Sequence, residues 1–325
     1  MTRITFTPGA LLAVLALAAL AACAEQFGRA PAPLRLATWN LEWLVTPATF
    51  NQLRGSCTRD GAPRDVHART LPCDVVARLE RGASDFAGLA RYARQLDADV
   101  VALQEVDGPE AARLVFPDRG FCFSGGAVLQ NTGFAIRRGI AYRCGPDLEA
   151  LSQGDTLRRG AELVLYPGTT RELHLLSVHL KAGCATPPLD SRADACARLA
   201  RQAPVLSQWI AKQSAAHVRF VVLGDFNRDL LAEHGAALDP AGQPRNLWPA
   251  LDGADLLFNT ALGTSFHNCT PGQAHTGFID YILLSAPLRT GLVPGSLAHP
   301  GYSASDAWRL KLSDHCPVRI SLQLS

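Results

Sequence analysis

The stretch VVLGDFNRD, residues 221–229, carries an apolar run straight into Gly-Asp-Phe-Asn. Residues two apart on a strand face the same side. Asp225 and Asn227 can therefore aim an anionic acceptor and an amide donor at one point. The same residue types also make ordinary turns, so this run alone decides nothing. The pattern recurs, however. LRLATWN ends on Asn40 with Glu42 two positions beyond, VVALQE ends on Glu105, and LLSVH ends on His179. GFID opens a strand at Asp280, and LSDH sets Asp314 and His315 just before another. Taken singly, each reads as a solvated strand end, a satisfied core histidine or a turn cap. Taken together they fit those roles poorly, because carboxylates and imidazoles are costly beside apolar strands unless paired or metal-bound. The set is rich in oxygen donors and has no thiolate, which suits Mg²⁺, Mn²⁺ or Ca²⁺ better than zinc.

Strands and helices alternate around these residues. LRLATWNLEWL alternates as a strand does, and DADVVALQEV reads as a buried strand following a helix over 85–96, whose apolar residues have helical spacing. Further strands are expected near 132–137, 161–166, 173–180, 219–223, 278–284 and 317–322. A helix is expected over 192–213, with Pro204 as a candidate kink. YPGTTREL between two apolar runs marks a hairpin. Residues 45–80 read as polar and irregular. Interspersed elements of this kind predict mixed sheets covered by helices, with no domain boundary after residue 34.

The ordered set WN-x-E, QE, S-x-H, GDFN, a strand-opening Asp and SDH resembles the endonuclease/exonuclease/phosphatase superfamily, over nearly all of residues 34–324. The resemblance implies an α/β four-layer sandwich, two mixed β-sheets packed face to face and flanked by helices. It implies a divalent-metal-dependent phosphoester hydrolase using Mg²⁺, with Mn²⁺ or Ca²⁺ as alternatives. Asn40 and Glu105 would sit at the metal, with Glu105 the principal ligand, and Glu42 and Asp314 would complete the metal or water network. Asp225 would position or deprotonate the attacking water, and Asn227 would contact the phosphate. Asp280 would orient His315. His179 matches a phosphate-binding or acid histidine. Arg159 sits where relatives place a phosphate-contacting residue, with Arg158 as the competing choice. In pancreatic-type deoxyribonucleases a glutamate supports the histidine that His179 resembles. Glu149 and Glu162 are the candidates for that role here. The segment between Trp43 and Val100 is longer than in compact members.

The leader and the cysteines bear on where such an enzyme works. Arg3, an apolar run from Leu11 to Leu20 and the tetrad Leu20-Ala21-Ala22-Cys23 form a signal-peptide pattern that resembles a bacterial lipobox. The expected organisation is a lipoprotein signal over 1–22, lipidation at Cys23, a tether over 23–33 and one catalytic domain over 34–325. Ala24 after the cysteine points to the outer membrane. Export makes the other eight of nine cysteines disulfide candidates. Three neighbouring pairs suggest themselves, 57–73, 122–144 and 184–196, which leaves Cys269 and Cys316 for each other. A net charge of +2 predicts no strong bulk attraction to polyanions, although 28 of the 31 basic residues are Arg. The leading functional expectation is an exported nuclease with DNA or RNA as its substrate. The alternatives are a phosphodiesterase or phosphatase acting on phospholipid head groups or small phosphate esters, and a non-catalytic surface-binding lipoprotein. No protein partner is expected.

Overall fold

Apolar alternation along the first strand dictates how the layers stack. In β1 (Leu34–Leu44), Leu34 and Leu36 face a large core shared with the second sheet. Ala37, Trp39 and Leu41 face a separate core on the other side. A computed structural model describes residues 32–59, 69–233, 238–239, 242, 244–252, 256–271, 273 and 275–324. The signal segment and Cys23 lie outside them. Leu34–Ser325 forms a single unit.

Two mixed sheets make up the interior. The first has five strands, running in the order Val318–Leu322 (β11), β1, Val100–Val106 (β2), Asn131–Arg137 (β4) and Arg119–Phe123 (β3). The second has six: Tyr142–Cys144 (β5), Ala161–Leu165 (β6), Leu173–His179 (β7), Phe220–Asp225 (β8), Asp280–Ser285 (β10) and Leu257–Asn259 (β9). Their inner faces pack on each other. Helices cover the outsides. Ala83–Leu96 buries Phe86, Leu89, Ala93 and Leu96 against the first sheet. Asp194–Ala215 buries Leu199, Leu206, Trp209 and Ile210 against the second, where Trp209 meets Phe220 edge-on at 5.5 Å. Each such apolar side chain contributes about 1.5–3 kcal/mol on burial, enough to fix the four layers α/β/β/α.

Most expected elements appear, with small shifts at their ends. The long helix runs through Pro204 without ending there. Residues 45–80, expected to be irregular, carry two short helices, Pro47–Leu53 and Cys73–Arg78. The first is capped by the Thr46 hydroxyl, which accepts from the Thr49 amide. Disulfides join Cys57–Cys73, Cys122–Cys144, Cys184–Cys196 and Cys269–Cys316. Among the described residues no helix is long and apolar enough to cross a membrane.

Candidate active site at the strand ends

The site lies where the carboxyl ends of β1, β2, β7 and β8 meet the start of β10. Sheet register does much of the assembly. Asp225 pairs across the parallel ladder with His179 and across the antiparallel ladder with Asp280. These three side chains therefore stand side by side on three neighbouring strands. Gly224 makes the approach possible: its φ is +147°, and a Cβ there would come within 2.0 Å of the Val178 carbonyl oxygen. Only glycine tolerates both conditions.

The first sheet delivers its groups through irregularities. The β1–β2 register shifts between Asn40 and Leu44, and the β2–β4 register shifts between Leu103 and Val106. Bulges of this sort re-aim side chains. Glu42, Trp43, Glu105 and Asn227 all adopt left-handed backbone, with φ of 45°, 50°, 60° and 53°. For Glu and Trp this conformation is costly, and strain of that type concentrates at functional sites. Beneath the site, a buried polar chain ties the sheets together. Thr38 donates to Gln104, Gln104 donates to Ser177, and Ser177 donates to the Leu103 carbonyl.

Asn40 joins the two halves. Its amide nitrogen donates to Glu105 Oε1 at 3.2 Å and to Asp225 Oδ2 at 3.0 Å, while its oxygen accepts from the Glu42 amide. Glu105 also accepts from the Trp43 amide at 3.1 Å. His179 Nε2 lies 3.6 Å from Glu105 and 3.4 Å from Asp225, while its Nδ1 is buried with no hydrogen-bond partner. Among the described residues no glutamate supports His179 through Nδ1. Glu162 instead engages His174 and Trp209, and Glu149 pairs with Arg159. Burial, reinforced by the charges of Arg158, His315 and Lys181, holds His179 well below its ordinary pKa, so it is neutral.

His315 is the opposite case. Its Nδ1 lies 2.6 Å from Asp280 Oδ2. Burial works against its charge, but Asp280, Asp314 and Asp225 outweigh it and hold His315 well above the ordinary histidine range. Its Nε2 lies 4.0 Å from Asp225 and 3.9 Å from Asp314. Burial and the neighbouring Asp280 push Asp225 up to about 7, against the pull of His315, the Asn227 amide and Asn40. Asn227 closes the turn after β8, donating from its backbone to Asp225 Oδ1 and from its side chain to the Leu180 carbonyl.

Glu42 and Asp314 form the outer rim. Glu42 is paired with Arg78 and accepts from the Asp314 amide, and burial together with Asp314 raises it to about 6. Arg159 was the expected phosphate arginine and Arg158 the competing choice. Arg159 is engaged with Asp147, Glu149 and Asp155, none of which belongs to the cluster. Arg158 instead donates to the Leu180 carbonyl beside His179, and its charge reaches that ring.

Several supporting residues were not legible from strand-end patterns. Arg81 is buried and donates to the carbonyls of Glu42, Lys311 and Leu312, stapling the His315 loop to the end of β1. Ser313 donates to the Asn40 carbonyl, and both Trp39 and Tyr302 donate to the His315 carbonyl. The His275 ring lies tilted against His315, with centroids 4.7 Å apart. All of these act through backbone carbonyls or lie in loops, where no strand-end motif points to them.

Five carboxylates, Glu42, Glu105, Asp225, Asp280 and Asp314, thus converge, with Arg78 the one arginine ion-paired to any of them among the described residues. Two carboxylates raised by burial and by like charge are the signature of a site that lacks positive charge. A hard divalent cation fits this donor set: Glu105 would supply the principal oxygen ligand, with Asp314 and Glu42 beside it, while Asn40, whose nitrogen faces Glu105 and Asp225 and whose oxygen accepts from the Glu42 amide, holds the carboxylates in place.

A fold and a cluster of this type define a family of phosphoester-cleaving enzymes. The chain belongs to the Endonuclease/Exonuclease/phosphatase family, whose model matches residues 37–315. No curated protein matches it in sequence. Among solved structures, it resembles the human Nocturnin catalytic domain with bound sulfate anion, with 14% identity, a TM-score of 0.54, and coverage of 90% of this chain and 94% of that one. It also resembles the 3'-5' exonuclease NExo from Neisseria meningitidis, with 17% identity, TM-score 0.54, and coverage of 89% and 100%. TDP2 from Caenorhabditis elegans aligns with 13% identity, TM-score 0.54, and coverage of 89% and 74%. At these identities the likeness concerns the fold.

Proposed function

We propose that the chain is an exported phosphodiesterase that cuts nucleic acid with the help of a divalent cation, Mg²⁺ first, held by Glu105 with Asn40, Glu42 and Asp314 in support. The observation that carries this reading is the register-enforced row His179–Asp225–Asp280, met by Glu105 from one side and His315 from the other. When bound, the cation supplies positive charge to the phosphoryl oxygens.

The remaining chemistry belongs to the side chains. Asp225, poised at about 7, accepts a proton from the attacking water. His315, kept charged by Asp280, donates toward oxygens that become more negative as the diester breaks. Neutral His179 donates from Nε2 toward a non-bridging oxygen, between Glu105 and Asp225. Asn227 has a second amide hydrogen for the same group, and Arg158 adds positive charge nearby. Export is supported by the four disulfides, which persist in oxidising compartments, and by the leader sequence with Cys23 as the lipidated residue. On that reading the outer membrane is reached through the lipid anchor.

Nucleic acid is placed first because the NExo relative is named a 3'-5' exonuclease and because phosphate contact favours arginine, the dominant base of this chain. The test is a panel with the purified mature chain: plasmid DNA, single-stranded DNA, RNA, sphingomyelin and a generic diester, each with Mg²⁺, Mn²⁺ or Ca²⁺. Cleavage of DNA or RNA that stops on chelation is expected. Turnover confined to sphingomyelin would overturn the nucleic-acid assignment, and no turnover of any diester would overturn the enzyme assignment.

A further inference from the structure

A second donor group of different chemistry overlaps the proposed reaction centre at Asp280 and His315 and extends from it to His275. One ligand atom each from His275, Asp280 and His315 lies within 4.8 Å of the others. Asp280 is buried, 5% exposed, and uses only Oδ2 for His315; its Oδ1 is buried without any hydrogen-bond partner. A buried carboxylate oxygen left unpaired costs about 1–3 kcal/mol or more, so it marks a position that a ligand would satisfy. The His275 ring, partly exposed, leans over His315 at 38° between planes and gives access from solvent. Phe266 walls the far side of His275 at 5.7 Å. The neighbouring soft-donor group, Cys269, Cys316 and His299, is not available as thiolate because its sulfurs form a disulfide.

Two imidazoles and one carboxylate suit a borderline divalent ion that accepts four ligands, and not a hard ion that wants six oxygens. We propose that His275, Asp280 and His315 form a site for a transition metal of the Zn²⁺ class, separate from the oxygen-donor site at Glu105, and that its occupancy silences the enzyme. Two ligand atoms about 2.0–2.1 Å from a tetrahedral zinc lie roughly 3.4 Å apart, inside the 4.8 Å that bounds this group, so small side-chain shifts close the site. The imidazolium proton of His315 leaves to solvent as the nitrogen lone pair takes the metal. A free coordination position is filled by water. With His315 and Asp280 both holding the metal, neither is free to face the phosphoryl group. The binding claim stands alone; only its inhibitory consequence rests on the phosphodiesterase reading.

Calorimetric titration of the metal-stripped mature chain with Zn²⁺, in millimolar Mg²⁺, tests binding directly. One Zn²⁺ per chain is expected for the wild type and for Glu105→Gln, with affinity lowered at least ~10-fold in His275→Ala. Circular dichroism verifies folding, and His275→Gln is the second variant if the alanine chain does not fold. In parallel, Zn²⁺ is titrated into Mg²⁺-driven hydrolysis, where it should inhibit the wild type at concentrations that leave the His275 variant active. No Zn²⁺ binding by the wild type, or unchanged affinity in both His275 variants, overturns the site. Binding loss that mirrors Glu105→Gln assigns the ion to the oxygen-donor site instead and overturns it equally. Binding without inhibition overturns the regulatory half alone. A chain that binds Zn²⁺ through His275 yet hydrolyses no diester would sink the enzymatic reading and leave the site intact.

Discussion

The two ends of the first sheet carry similar residue types and opposite electrostatics. At the amino ends of β1 and β2, Asp97 and Asp99 meet Arg35 and Arg137, with Arg119 donating to the Asp99 carbonyl. Every acid there has arginine partners, and Asp97 is half exposed, its pKa lowered by the Arg137 hydrogen bond although what burial it has opposes this. At the carboxyl ends, Glu42 and Glu105 meet Asp225 and Asp280 from the second sheet and Asp314 from the loop before β11, and among the described residues these five acids share one paired arginine and two histidines in a largely buried setting. Charge that is paired and wet is architecture; charge that is crowded and dry needs a partner that arrives with the chemistry. Left-handed Glu42, Trp43, Glu105 and Asn227 sit at the crowded end; at the paired end Asp97 is left-handed too, but there it ends the Ala83–Leu96 helix.

Substitutions at the two ends should separate cleanly. The largest loss is expected for His315→Ala, where removing a positioned proton donor costs about 10²–10⁴ in kcat, with a smaller change in KM. Asp280→Asn acts through the same ring, so the double variant should be far less impaired than the product of the single losses. Additive losses, or activity that tracks the folded fraction, would remove His315 from the mechanism. Replacing both Cys269 and Cys316 by Ser opens the bridge that ties the residue after His315 to the loop bearing His275. A drop of about 2–4 kcal/mol in unfolding free energy is expected by denaturant titration, and an unchanged midpoint would contradict it. At the paired end, Asp97→Asn should cost no more than about 1 kcal/mol and leave kcat as in the wild type. A large activity loss there would erase the contrast between the ends.

The smallest effect concerns His174, away from both ends. The Glu162 carboxylate, 3.4 Å from Nδ1, comes first in raising its pKa, burial opposes, and Glu172 adds. A histidine raised on folding contributes stability that is fully present below its unfolded value near 6.5 and is lost as pH rises through the higher folded value. The contribution should be about 0.2–1 kcal/mol. His174→Gln should flatten that part of the decline in Tm across this window, and an unaltered pH profile would refute the pairing.

Much of this contrast was legible in the sequence. Parity along LRLATWN puts Asn40 on the same face as Leu34 and Leu36, and apolar runs ending on Glu105, His179 and Asp225 announce a shared edge. The Asp280–His315 contact, thirty-five residues apart, was also expected and is made at 2.6 Å. Other features were hidden for physical reasons. The choice between Arg158 and Arg159 depends on which way one residue turns after a bend, and Asp147, Glu149 and Asp155 claim Arg159. Strand β3, Arg119–Phe123, and the short β5 and β9 lack a long apolar signal. Arg81 and Tyr302 act on backbone carbonyls, which no side-chain motif encodes.

The most direct test of the crowded end uses Glu105→Gln, which keeps the shape and removes one charge. Hydrolysis of plasmid DNA and of a generic diester is measured at limiting Mg²⁺, beside the thermal unfolding midpoint of the same sample. The expected result is a loss of about 10²–10³ in rate, no cleavage by the wild type after chelation, and an unchanged midpoint. Full activity of Glu105→Gln at limiting Mg²⁺, or cleavage that survives chelation, would contradict the account.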